Sequence, residues 1–87
     1  MELSIMEEAK IEHLKGLSVI SATKHIMSKY SLNHEDAYKK LLNSETYRIL
    51  MESNSGLFLE TDSYLNNALD IEFEKDKEAL YDYISSN

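Results

Sequence analysis

Residues 44–69, SETYRILMESNSGLFLETDSYLNNAL, decide how this chain folds. Ser44 has the side-chain acceptor of a helix N-cap, and Tyr47, Leu50 and Met51 follow at the i, i+3, i+4 spacing of one helix face, flanked by Ile49. ESNSG at 52–56 closes that segment, because Asn54 and Gly56 both tolerate the left-handed backbone that ends helices. Leu57, Phe58 and Leu59 are bounded by turn signals. Three residues are short for a strand, so the expected form is an apolar loop that plugs the core, with a strand-like segment as the alternative. Thr61 or Ser63 then caps a further helix in which Leu65, Leu69 and Phe73 fall at i, i+4, i+8, widened by Tyr64, Ala68 and Ile71.

Downstream, Leu80, Tyr81 and Ile84 resume this face beyond the hydrated waist EFEKDKE at 72–78. Residues 61–85 therefore read as one long helix or as two with a break near Lys75. The alternation of Leu69, Ile71 and Phe73 also admits a strand over LDIEFE, but its only partner would be 57–59, and an isolated two-stranded ribbon is weak. Helix is the expected state.

Upstream, SIMEEAKIEHLK at 4–15 opens with Ser4 as N-cap, Glu7 at the capping-box spacing and Lys15 in the last turn. Gly16 either ends this helix or sits inside a longer one. From Leu17 to Tyr30 the stripe Val19, Ala22, Ile26 and Tyr30 is clear, with Ile20 and Met27 beside it. Asn33 followed by Glu35 and Asp36 marks a new helix start, with Ala37, Tyr38, Leu41 and Leu42 apolar behind it. Residues 1–87 are thus predicted to form a single all-α domain, a small bundle of about four helices. Its predicted core is Val19, Ile20, Ile26, Met27, Leu41, Leu42, Ile49, Leu50, Leu57, Leu65, Leu69 and Phe73.

A chain of 87 residues buries only about 60–65% of its unfolded surface, so each good apolar face has to be used. Cysteine is absent, which removes disulfides, thiolate metal sites and thiol nucleophiles. The N-terminal stretch MELSIMEEAKIEHLKG has acids where a signal peptide needs bases, and no apolar run approaches a membrane span; the expected location is cytoplasmic, without membrane attachment. Net charge is −7. Residues 1–40 balance six acids with six bases, whereas 41–87 carry ten acids against Arg48, Lys75 and Lys77. That acidic half repels phosphate backbones and suits a basic protein partner.

His13, His25 and His34 lack the i, i+3 or i, i+4 pairing of a helical metal site. Asp70, Glu72, Glu74 and Asp76 alternate like oxygen ligands, but the glycine and terminal glutamate of a calcium loop are missing. Gly16 and Gly56 stand alone, so neither a nucleophile elbow nor a phosphate loop is present. Catalytic residues, metals and cofactors are accordingly expected to be none. VISATKHIMSKYSLNHEDAYKKLL has the length of a helix-turn-helix, yet its second helix would bring Glu35 and Asp36 to the bases. A DNA-associated regulator would have to use Lys24, Lys29, Lys39 and Lys40.

Six of the eight aromatics are tyrosines, more than so small a core accommodates, and tyrosine is enriched at interfaces. The expected partner surface is Tyr64, Glu72, Glu74, Asp76, Leu80, Tyr81, Asp82, Tyr83 and Ile84. The order SETYRIL followed by SGLFLETDSYL, centred on Tyr47, Gly56, Leu57, Phe58, Glu60 and Tyr64, resembles small uncharacterised bacterial proteins of toxin–antitoxin-like operons. That resemblance implies a helical antitoxin-like or accessory protein and assigns no catalytic residue. The expected function is non-enzymatic protein binding through the acidic half, with DNA-associated regulation or self-assembly, as a homo-oligomer, as alternatives.

Overall fold

Helix α1 runs unbroken from Ile5 to Tyr30 in the computed structural model, which describes residues 5–86. Gly16 therefore lies inside it, exposed, where an added Cβ would meet nothing within 4 Å. The capping role expected of Ser4 lies outside the described residues. At its far end α1 closes with Ser31 in the left-handed region (φ 54°), and the Leu32 N–H returns to the Met27 carbonyl at 3.2 Å. This is a Schellman closure, with serine where glycine is commonest. Leu32 and Met27, one at each end of that bond, both pack against the core.

Asn33 caps α2 (His34–Leu42) by accepting from the Asp36 N–H at 2.8 Å. Ser44 does two jobs at once. Its hydroxyl donates to the Leu41 carbonyl at 2.6 Å, finishing α2, and accepts from the Tyr47 N–H at 3.0 Å, starting α3 (Glu45–Met51). Seven residues are too few for a helix stable by itself. Both ends of α3 are held from elsewhere in the chain. At its start the Glu72 carboxylate accepts from the N–H groups of Glu45 (2.7 Å) and Thr46 (2.9 Å) and from the Thr46 hydroxyl (2.7 Å). At its end buried Lys15 donates to the Met51 carbonyl at 3.0 Å and to Ser53 Oγ at 2.9 Å, with its ammonium over the Phe58 ring. A carboxylate at the amino end and an ammonium at the carbonyl end both complement the helix dipole.

After a short 3₁₀ turn at Ser53–Ser55, Gly56 (φ 70°) redirects the chain into a second, Leu57–Leu59. Leu57 and Phe58 plug the core as expected, while Leu59 is 70% exposed. Thr61 caps α4 (Asp62–Glu74), which includes the LDIEFE stretch, so the strand alternative is not realised. The chain breaks at Lys75, and Asp76 caps a separate α5 (Lys77–Ser85) by accepting from the Ala79 N–H. Five α-helices are thus present among the described residues, because the hydrated waist is a real break.

The core gathers Ala22, Ile26, Ala37, Leu41, Leu50, Leu57, Phe58, Leu65 and Leu69, with Val19, Met27, Ile49 and Phe73 partly buried against it. Two predicted core residues are corrected. Ile20 is 54% exposed, because it lies two residues before Ala22 and therefore about 160° around the helix from it. Leu42 is exposed because Ala37 and Leu41 take the inward positions of α2. Helices α1 and α4 run in the same direction: Asp62 lies beside Leu17 and Ser21, Asp70 beside His25 and Lys29, and Glu74 beside Lys29 and Tyr30.

Candidate interaction surface

The acids of the second half are mostly bonded within the fold. Asp70 accepts from His25 Nε2 (2.8 Å), the Lys29 ammonium (2.8 Å) and the Tyr30 hydroxyl (2.9 Å), three side chains on one face of α1. Glu74, one turn later, also binds Lys29 (3.0 Å) and Tyr30 (2.8 Å). Burial pushes the Asp70 carboxyl up, but the bonds from Lys29, His25 and Tyr30 together outweigh it and hold it below its ordinary value. Lys29, then Tyr30, hold Glu74 down likewise. Reciprocally, Asp70 and Glu74 raise Lys29, while burial and the same two carboxylates raise the Tyr30 phenol. A histidine held by a carboxylate is half of a catalytic relay. Here the carboxylate is shared by two further donors, and the group stitches α1 to α4.

A second cluster ties α3 to α5. Glu45 receives both Nε and Nη2 of Arg48, at 2.9 and 2.6 Å, and the Tyr81 hydroxyl. Arg48, then Tyr81, lower its carboxyl to about 2. Arg48 also reaches Glu52.

These bonds change the meaning of the predicted partner residues. Glu72 caps α3, Glu74 belongs to the α1–α4 seam, and Asp76 caps α5. Leu80 is wholly buried and must be moved from the surface to the core. It is the residue that seats α5. Tyr81 is partly exposed but bonded to Glu45, and the rings of Tyr64 and Tyr83 pack with centroids 4.9 Å apart. Asp82 is exposed and Ile84 half-buried. Among the lysines of the DNA-associated alternative, Lys29 is in the seam, Lys39 pairs with Glu35, and Lys40 sits 4.2 Å above the Phe73 ring. Lys24 alone of the four lies on the outer side of α1, between two surface depressions.

That outer side carries apolar residues the core does not use. Leu14, Leu17 and Ile20 are exposed, and Tyr38 joins them from α2. A cleft of about 180 Å³ opens between α1 and α2, lined by Val19, Ile20, Thr23, Lys24, His34 and Tyr38, with the His34 and Tyr38 rings stacked 6.1 Å apart. Further along α1, Leu17 and Ile20 share a depression with Ser21, Lys24 and the rim residue Asp62, and Leu14 shares another with Ala9, Lys10 and His13. The polar side chains among the apolar ones are thus largely basic or imidazole, within a chain of net charge −7.

Sequence reasoning missed this surface by assigning Ile20 to the core. The available signal was the breadth of the apolar residues of α1, which extend around more of the helix than one packing face needs. It also missed the seam, whose trace is a pair of complementary i, i+4 sets: His25 with Lys29, and Asp70 with Glu74. Among the described residues no group of three or more His, Asp or Glu side chains is placed to hold a metal ion, and no helix is long and apolar enough to cross a membrane. No protein-family model matches the chain, and no curated protein or solved structure shows significant similarity to it.

Proposed function

We propose that this chain is a non-enzymatic protein-binding module that docks another protein on the outer side of α1 and the adjoining edge of α2. An antitoxin-like or accessory role is the setting that this reading suits. The observation that carries it is the exposed set Leu14, Leu17, Ile20 and Tyr38, on a domain with little apolar surface to spare. The acids first suspected of binding are a weaker basis, since Glu72, Glu74 and Asp76 each have a bonded role inside the fold.

The test is quantitative cross-linking capture from the native host with three tagged forms of the full chain. Proteins recovered with the wild type are expected to persist with Glu78→Lys/Asp82→Lys on α5 and to be lost with Leu17→Glu/Ile20→Glu. Circular dichroism and thermal unfolding should be unchanged in both variants. Recovery that follows the α5 charges and ignores α1 would return the binding surface to the acidic half.

A further inference from the structure

Resting on that docking face, we infer that its occupant is an acidic amphipathic helix of a different protein, which lies along α1 from Lys10 to Lys24 and places one large apolar side chain in the α1–α2 cleft. The spacing supports a helical occupant. Lys10, Leu14, Leu17, Ser21 and Lys24 follow the alternating four- and three-residue steps of a helix seam, and the span from Lys10 to Lys24 is about 21 Å, or four turns. Helix-in-groove recognition uses anchors at this spacing.

The charge supports an acidic one. Lys10 and Lys24 stand at the two ends of the apolar stretch, with His13 and His34 beside it. The acids nearest to it are at its margins: Glu7 three residues before Lys10 on α1, Asp62 on the rim of the Leu17–Ile20 depression, and Glu35 already paired to Lys39. A helix with acids at its edges would meet a cation at each end, and like charge there would be selected against.

Two other occupants fit less well. An antiparallel pairing of two copies about Leu17 would match Leu14 with Ile20 but set Lys10 of one copy against Lys24 of the other at both ends. An anionic lipid surface would satisfy the lysines, but it supplies no projecting side chain to a cleft of about 180 Å³.

The experiment is a two-dimensional amide NMR titration of the full chain with three separate probes. They are a helical peptide of about four turns with leucines on one face and glutamates on the other, the same peptide with lysines for glutamates, and vesicles of phosphatidylcholine and phosphatidylglycerol in equal parts. The glutamate peptide is expected to shift the resonances of Leu14, Leu17, Ile20, Lys24 and Tyr38. Its affinity should fall at least about fivefold between low and moderate salt. Ile20→Glu should abolish the shifts, and Lys10→Glu/Lys24→Glu should reverse the preference in favour of the lysine peptide.

If the lysine peptide or the vesicles perturb the same residues as strongly as the glutamate peptide, the docking face stands and the acidic occupant is wrong. A dimer that strengthens with added salt and is removed by Ile20→Glu assigns the face to a second copy and overturns the inference in the same way. If no probe perturbs α1 at low salt and the chain stays monomeric, both the inference and the docking face fail.

Discussion

The two sides of α1 carry similar residues and put them to opposite use. On the inner side Ala22 and Ile26 are fully buried, Lys15 closes α3, and His25, Lys29 and Tyr30 are bonded to α4. On the outer side Leu14, Leu17 and Ile20 stand in solvent beside Lys10 and Lys24. Isoleucine at 26 and isoleucine at 20 differ only in where the helix turns them. Identity therefore says little about what a residue contributes, and bonding and burial say most of it.

The largest expected effect is at that isoleucine pair. Ile26→Ala should cost about 2–5 kcal/mol in urea unfolding, because it opens a cavity at a site with no exposure. Ile20→Ala should change stability by no more than about 0.5 kcal/mol. Equal losses would mean that the outer side is part of the core after all.

Next comes the seam. Asp70→Ala leaves His25, Lys29 and Tyr30 without their shared acceptor and should cost about 1–3 kcal/mol, read in the same unfolding experiment. A negligible loss would show that water replaces the carboxylate and that the seam does not join the helices.

Acid should separate the bonded carboxylates of the fold from the outer side of α1. Glu45 is lowered from an ordinary 4.5 to about 2, and Asp70 and Glu74 are lowered as well. A carboxyl held down in the folded state contributes stability that is complete above its ordinary value and is lost as pH falls through the folded one. Thermal midpoints should therefore be maximal above pH 4.5 and decline towards pH 2. Glu45→Gln should flatten that decline, whereas Leu17→Glu/Ile20→Glu should retain it.

A small effect of the opposite sign is expected at Gly16. It is helical and exposed, and it has room for a methyl group, so Gly16→Ala should stabilise the chain by about 0.5–1 kcal/mol. A loss instead would reveal a bend in α1 that the glycine permits.

What could be read in the sequence was mainly what depends on neighbours along the chain. Asn33, Ser44 and Thr61 cap the helices they were expected to cap, and a break falls at Lys75. Helix periodicity also recovered the inward residues Ile26, Leu41, Leu50, Leu65 and Leu69. Contacts between distant residues were not readable in this way. By its neighbours Glu72 is one more acid of a hydrated stretch, yet it bonds to Glu45 and Thr46, and Lys15 reads as a last-turn base although its ammonium sits at the end of α3. Nothing local distinguishes a carboxylate that caps a remote helix from one that faces solvent. Leu80 shows the same limit, since its neighbours Glu78, Tyr81 and Asp82 are exposed around a residue with no exposure.

The clamping of α3 also bears on the order in which the molecule assembles during synthesis. The α1–α2 hairpin has its Schellman closure and Asn33 cap as soon as residue 36 is made. Seven-residue α3 has Lys15 waiting for its carbonyl end, but its first two amide donors have no carboxylate until Glu72 leaves the ribosome. A nascent chain stopped before that residue holds a hairpin and a frayed third segment, so Leu50, which α3 delivers to the core, stays accessible to chaperones until Glu72 has emerged.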